Sequence, residues 1–255
     1  MKIAACYKAV PFSEEIEVRR DRTLDYSKAS LEIGQYDLRA VETAMRLKEA
    51  AGEGSVVALT IGGETVSNSK MKKAILARGP AEMYGVQDDS LANADTYVTA
   101  SCLRAAVEKM GDIDLVVCGE GSSDMYVQQV GNVLGAMLGW TTVNGVSAVT
   151  QIEGGLRIER VVSDGVEVLE CALPAVITVA ADINIPRIAT MKDILAAGKK
   201  PATVWSLSDI GISPTVLSET ESVLAPEKTE RRREIFEGSS DDVLDAFAEA
   251  LKKVL

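Results

Sequence analysis

Ile113-Asp114-Leu115-Val116-Val117-Cys118-Gly119-Glu120-Gly121-Ser122-Ser123-Asp124 is the stretch that decides the fold. A short apolar run rich in β-branched residues reads as a buried strand, and the glycine and serine cluster behind it reads as a turn. A helix is expected to follow from about 124 to 138. The same unit recurs upstream. Strands are expected at 3–7, 55–61 and 82–86, and the fourth at 113–118. A helix over 36–51 carries Leu38, Val41 and Met45 on one stripe and stops at Gly52-Glu53-Gly54. A second, over 70–78, takes Ser67 as its N-cap and ends at Gly79-Pro80. A third starts at Asp95, buries Val98, Cys102, Leu103 and Val107, and ends at Gly111. Strands of Val, Ile, Leu and Ala alternating with helices predict a parallel α/β sheet covered on both faces.

The pattern changes near Trp140. Residues 146–152, 156–162 and 166–171 read as antiparallel strands, with hairpin turns at Glu153-Gly154-Gly155 and Ser163-Asp164-Gly165. Residues 175–179 return to the buried sheet. Ile16-Glu17-Val18 and Leu24-Asp25-Tyr26 read as a small ribbon. Beyond Pro201 periodicity fades. Residues 206–233 are polar and interrupted by Pro214 and Pro226, and 227–234 is a dense mixed-charge run. A last helix over 241–255 carries Val243, Leu244, Phe247, Leu251 and Val254. The expected organisation is an α/β domain over 1–205 and a C-terminal arm over 206–255. The arm is either a solvated tail or a segment that buries its apolar stripe on a partner chain.

Composition removes whole classes of chemistry. The 255 residues hold 27 Lys+Arg, 38 Asp+Glu and no histidine, for a net charge of −11. Without His there is no Ser-His-Asp triad, Cys-His dyad or imidazole ligand. An acidic chain argues against a nucleic-acid partner and against an anionic membrane surface. Cys6, Cys102, Cys118 and Cys171 show no C-x-x-C spacing and read as reduced, buried, small side chains of a reducing compartment. The apolar stretch after Met1-Lys2 is too short for a signal peptide. No apolar run reaches the roughly 18 residues of a membrane helix, so a cytoplasmic protein is expected.

Open parallel sheets bind ligands at the carboxyl ends of their strands. Three ends here are small or turn-forming: Cys6-Tyr7-Lys8, Ile61-Gly62-Gly63 and Gly119-Glu120-Gly121-Ser122-Ser123. Gly119 and Gly121 permit close backbone approach, and a helix start offers N–H groups to a phosphate. Neither Gly-Lys-Ser/Thr nor G-x-G-x-x-G is present, so these ends are either a nucleotide cradle or a structural turn. Asp124 reads as a helix cap and Glu120 as a solvated carboxylate, in preference to an acid/base pair. Asn184-Ile185-Pro186-Arg187-Ile188-Ala189-Thr190-Met191 reads as an ordered loop. Met191 there is either a scattered surface residue or an anchor for a complex.

Taken along its whole length, the chain resembles the beta subunit of electron transfer flavoprotein. The resemblance is carried by Cys6-Tyr7-Lys8-Ala9-Val10-Pro11, by Tyr36-Asp37-Leu38-Arg39-Ala40-Val41-Glu42 and by Arg78-Gly79-Pro80-Ala81. Leu173-Pro174-Ala175-Val176-Ile177-Thr178-Val179, Asn184-Ile185-Pro186-Arg187, Thr190-Met191-Lys192-Asp193-Ile194-Leu195 and Lys199-Lys200-Pro201 carry it most specifically. Gln35-Tyr36-Asp37-Leu38, Asp182-Ile183-Asn184 and the segment 124–131 resemble the Fix-type and carnitine-linked bacterial branch.

The resemblance implies a Rossmann-like fold related to adenine-nucleotide hydrolase-like folds. It also implies an electron-carrier subunit with no bond chemistry of its own. An alpha subunit would complete a heterodimer and share a redox-active FAD. The beta subunit would hold AMP, or in electron-bifurcating relatives a second FAD reduced by NADH. By position, Cys6 lies at the first nucleotide-contacting strand end. Gly34, Gln35, Tyr36, Asp37 and Ile61 flank the adenosine. Gly119, Gly121, Ser122, Ser123 and Asp124 belong to the phosphate loop, with Val127, Gln128, Gln129 and Val130 nearest the phosphate. Met191, with Ile194 and Leu195, would dock on an acyl-CoA dehydrogenase-type redox partner, and the arm from Ser206 would wrap the alpha subunit.

Two departures bear on the cofactor. AMP-type relatives carry C-N-Q-T-G where this chain has Val127-Gln128-Gln129-Val130-Gly131, so a Thr hydroxyl is lost at Val130. Bifurcating relatives carry D-G-D-T-x-Q-V-G, which Met125-Tyr126-Val127 does not match. Tyr126 would either fill space or stack on a ring. The remote alternative is a stand-alone adenine-nucleotide-binding sensor or hydrolase of the same superfold.

Overall fold

A computed structural model describes residues 1–227 and 233–254. In chain order the strands and helices begin with β1 (Lys2–Cys6), β2 (Ala9–Pro11), β3 (Glu17–Val18), β4 (Leu24–Asp25), β5 (Leu31–Ile33) and α1 (Gln35–Ala51). Then come β6 (Ser55–Gly62), α2 (Ser69–Leu76), β7 (Glu82–Gln87), α3 (Thr96–Met110), β8 (Leu115–Gly119) and α4 (Val130–Leu138). They continue with β9 (Thr141–Ile152), β10 (Gly155–Val162), β11 (Gly165–Ala172) and β12 (Ala175–Val179), and end with α5 (Met191–Ala197), β13 (Ala202–Trp205) and α6 (Asp241–Lys252).

Nine strands form one sheet in the order β11-β10-β9-β12-β8-β1-β6-β7-β13. From β9 to β13 all neighbours are parallel, and β10 and β11 add antiparallel hairpins at one edge. The result is a mostly parallel, Rossmann-like α/β sheet. Its strands alternate cleanly between two cores. Ile3, Ala5, Val56, Ala58, Leu115 and Val117 pack with Val41, Ala44 and Met45 of α1 and Met71 and Ile75 of α2. Ala4, Val57, Leu59 and Val116 pack with Val98, Cys102 and Leu103 of α3 and Leu134 of α4. Period-two alternation with both faces apolar is what reads as an unbroken hydrophobic run in sequence.

Strand order reverses between β1 and β8. From β1 the chain builds outward through β6 and β7, then returns to lay β8 on the other side of β1. The carboxyl ends of these two strands therefore flank a crevice, the place where ligands bind in open α/β sheets. Helix signals account for most element ends. Asp95 Oδ1 accepts from the Val98 N–H at 2.7 Å, and Gly111 and Gly52 close α3 and α1 at positive φ.

Several expectations are corrected. The cap of α2 is Asn68, whose Oδ1 accepts from the N–H groups of Lys70 and Met71, and not Ser67. Ile113 precedes β8 and does not join it. The helix expected from 124 begins at Val130, because Tyr126 and Gln128 adopt left-handed φ of 46° and 59° and cannot continue a right-handed helix. Met191 starts α5 through a Thr190 and Asp193 capping box, and the edge strand β13 was not anticipated.

The chain divides into two compact units, Met1–Glu17 with Asp25–Ser222, and Val18–Leu24 with Val223–Leu255. In the first, Asp95 Oδ2 also accepts from the Leu217 and Ser218 N–H groups, fixing that part of the extended segment. In the second, Thr23 bridges Leu224 and α6 exposes Leu244, Phe247 and Leu251. Of the mixed-charge run, 228–232 lie outside the described residues, as does Leu255. Among the described residues, no helix is long and apolar enough to cross a membrane.

Candidate functional site

Three segments meet at the crevice between β1 and β8: residues 6–8 behind β1, 34–37 at the start of α1, and 119–131 from the end of β8 into α4. Asp37 ties them together. Its Oδ2 accepts from the Lys8 N–H at 2.8 Å, and the carboxylate also accepts from the Gly119 N–H. The Lys8 carbonyl accepts from the Gly34 N–H at 3.0 Å, and Ser123 Oγ accepts from the Gln35 N–H at 3.0 Å. Burial pushes the Asp37 carboxyl up to about 7, against the pull of the Lys8 and Gly119 N–H groups.

Gly119 is required by packing. A Cβ there would stand 2.8 Å from the Tyr36 carbonyl carbon and 2.9 Å from Asp37 Oδ1. Gly131, in the first turn of α4, lets that helix press on Thr178 of β12, where a Cβ would come within 2.3 Å of Cγ2. The start of α4 has no side-chain cap: Gln129 holds the N-cap position without a side-chain hydrogen bond. Its first N–H groups are therefore offered to whatever occupies the crevice.

Lys8 Nζ donates to Asp124 Oδ2 at 2.6 Å. Asp124 accepts as well from the Met125 N–H at 2.8 Å and from Ser122. Burial would raise its carboxyl, but Lys8 and these donors outweigh burial and hold it below the ordinary range. Asp124 is thus a loop anchor and not the helix cap expected from sequence. Glu120 is also partnered: it accepts from the Tyr126 hydroxyl at 2.9 Å, and that hydrogen bond pushes the phenol up to about 12. The Tyr126 ring lies over Gly121 and 5.1 Å from the Tyr36 ring, and Gln128 Nε2 donates to its hydroxyl at 3.3 Å. Cys6 and Cys118 are hydrogen-bonded neighbours at the floor. That bond, together with burial, raises the Cys6 thiol well above its usual range. A thiol so protonated is a poor nucleophile.

The structure brings Cys6, Gly34, Gln35, Tyr36, Asp37, Gly119, Gly121, Ser122, Ser123 and Asp124 into this one region, with 127–130 completing the loop. Ile61 lies on the next strand, at the end of β6 beside β1. Met191, Ile194 and Leu195 are elsewhere, on α5, where Met191 and Leu195 are 72% and 70% exposed.

The loop before α5 is stapled to α1. Asn184 Nδ2 donates to the Arg39 carbonyl at 3.0 Å and to Thr43 Oγ1 at 2.8 Å. Arg187 Nε donates to Glu42 Oε2 at 2.7 Å, and its Nη1 donates to Glu49 Oε1 at 2.7 Å. Ile185 and Ile188 project from this clamp, Ile188 at 92% exposure. The same helix therefore starts at the crevice and anchors an exposed apolar surface.

The sequence did not point to the Lys8 side chain or to the Glu42–Arg187 pair, whereas Tyr126, expected to fill space or to stack on a ring, packs against Tyr36. Lys8 had a readable signal, as the one cation in the strand-end segments. Glu42 and Arg187 are 145 residues apart, and only the fold joins them. The profile of the electron transfer flavoprotein domain matches residues 23–210, which include α1, the loop 119–131 and α5. With more than half of its length matched, this chain belongs to the electron transfer flavoprotein family.

Proposed function

We propose that this chain is the beta-type subunit of an electron transfer flavoprotein of the Fix-type and carnitine-linked branch, working in the cytoplasm. It carries electrons and breaks no substrate bond. The observation that carries this reading is the crevice itself: a strand-order reversal, a glycine floor at Gly119, and an α4 start without a side-chain cap. This geometry fits an adenine nucleotide, and AMP is the occupant proposed. Cys6, Gly34, Gln35, Tyr36, Asp37 and Ile61 would flank the adenosine. The backbone of 127–130 would meet the phosphate, and the missing hydroxyl at Val130 leaves main-chain N–H groups to do this.

A redox-active FAD would be shared with an alpha subunit, supplying the acceptance and release of electrons. The contribution of this chain to it is positional. The arm from Ser206, with Leu244, Phe247 and Leu251 exposed on α6, is the segment proposed to pack on the alpha subunit. Met191, Ile194 and Leu195 would meet an acyl-CoA dehydrogenase-type partner. The Glu42–Arg187 clamp supports that role by fixing the loop that leads into α5.

One observation favours a second reading, a second FAD reduced by NADH. The Tyr36 and Tyr126 rings pack together at the crevice, 5.1 Å apart and tilted by 36°, and the exposed Tyr126 ring would offer a surface to a flavin ring. Co-expression with a candidate alpha subunit tests the subunit assignment. Flavin absorbance should be retained by the co-purified complex and lost when this chain is purified alone. A lone monomer that turns over ATP would instead favour the sensor or hydrolase alternative.

A further inference from the structure

The crevice is unbalanced in charge for a phosphate ester. The segments 6–8, 34–37, 61–63 and 119–131 contain Asp37, Glu120 and Asp124 but a single cationic side chain, Lys8. A phosphate monoester brings close to two further negative charges. Neutral N–H groups at α4 can accept it, but they do not offset the carboxylates of Glu120 and Asp124 and the partly protonated Asp37.

Lys8 is built to supply the missing charge. Its backbone is fixed, with the N–H on Asp37 Oδ2 at 2.8 Å and the carbonyl on the Gly34 N–H at 3.0 Å. Its side chain is half-exposed and ends on Asp124 Oδ2 at 2.6 Å. That contact uses one of the three N–H donors of an ammonium. Asp124 keeps the Met125 N–H and Ser122 when Lys8 moves away, so parting the pair strands no carboxylate. A half-exposed ion pair is weak, and a charge-assisted contact to phosphate replaces it with a stronger one.

We propose that Lys8 is the phosphate-binding side chain of this crevice, and that it exchanges Asp124 for the 5′-phosphate when the nucleotide enters. The proposal rests on the crevice being an adenine-nucleotide site. The test is titration of the full-length chain, freed of bound nucleotide, with AMP and with adenosine. In the wild type AMP should bind more tightly than adenosine. Lys8→Met should weaken AMP by roughly 10- to 100-fold and change adenosine by less than about twofold. Asp124→Asn, which releases Lys8 from its partner, should tighten AMP and leave adenosine unchanged.

Equal AMP-to-adenosine ratios in Lys8→Met and wild type would overturn the role of Lys8 while leaving the nucleotide site standing. Binding of neither ligand by the wild type would overturn both. If Lys8→Met loses adenosine as well, Asp124→Asn decides: an unchanged AMP-to-adenosine ratio in that variant overturns the exchange.

Discussion

Replacing Asp37 by Asn removes a buried carboxylate that the fold holds partly protonated. Asp37 is 8% exposed, and its carboxyl is raised from 3.8 to about 7. Because the folded chain holds this proton more tightly than the unfolded chain, the direction of the pH effect is fixed. Below about pH 4 both states are protonated and the contribution to stability is complete. Between about pH 4 and 7 the unfolded chain has released the proton and the folded chain has not, so stability falls as pH rises. Above about 7 the loss levels off. At about 1.4 kcal/mol per pH unit, the loss is on the order of 4 kcal/mol.

Other carboxylates act in the opposite direction. Hydrogen bonds from Thr190 and Ser90 lower Asp193 and Asp88, and their contribution is lost as pH falls. The assay is therefore a difference. Urea unfolding of wild type and Asp37→Asn is measured at pH 4.5 and pH 8. The amide accepts hydrogen bonds at both, so relative to wild type the variant should gain several kcal/mol between them. A difference that stays constant with pH would refute the assignment of a raised carboxyl to Asp37.

Two other substitutions probe the clamp on α1 and the exposed face of α5. Glu42 is buried and accepts from both Arg46 and Arg187, so Glu42→Ala leaves two guanidinium groups short of their carboxylate. It should lower stability by about 2–4 kcal/mol and speed amide exchange over 184–188, and an unchanged urea midpoint would contradict the clamp. If the proposed docking on a dehydrogenase-type partner holds, Met191→Ala should slow electron transfer to it, a loss of about 1–3 kcal/mol in docking, with flavin content unchanged. Unaltered transfer kinetics would remove Met191 from that surface.

The sheet was legible because its strands are buried on both faces. Runs such as Leu115-Val116-Val117-Cys118 carry no competing helical period. Both hairpins were legible from the turns at Gly154 and Gly165. The loop 120–129 was not. The turn at 121–123 is readable, but Met125, Gln128 and Gln129 behind it are acceptable helix formers, and what prevents a helix there is the left-handed backbone at Tyr126 and Gln128, which no composition signals. β13 was missed because Ala202-Thr203-Val204-Trp205 is a short edge strand, half solvated on its outer side.

The position of the crevice followed from strand order once Gly119-Glu120-Gly121 was placed behind a strand. Its electrostatics did not. Asp37 stands in the first turn of α1, where a carboxylate is ordinarily favourable to the helix dipole. In the fold, Lys8, Gly34 and Gly119 close on its carboxylate. The clamp of Arg187 on Glu42 and Glu49 is likewise a product of the fold, since its partners lie 145 and 138 residues apart in sequence.

The measurement that bears most directly on the account is the nucleotide content of this chain co-purified with the proposed alpha-type partner. The complex is denatured, and released FAD and AMP are separated by chromatography and counted per heterodimer. The account predicts one FAD and one AMP. Two FAD with no AMP would replace the simple carrier by the bifurcating reading and make reduction by NADH the next experiment. A complex that releases no adenine nucleotide beyond a single FAD would contradict the crevice between β1 and β8 as a nucleotide site.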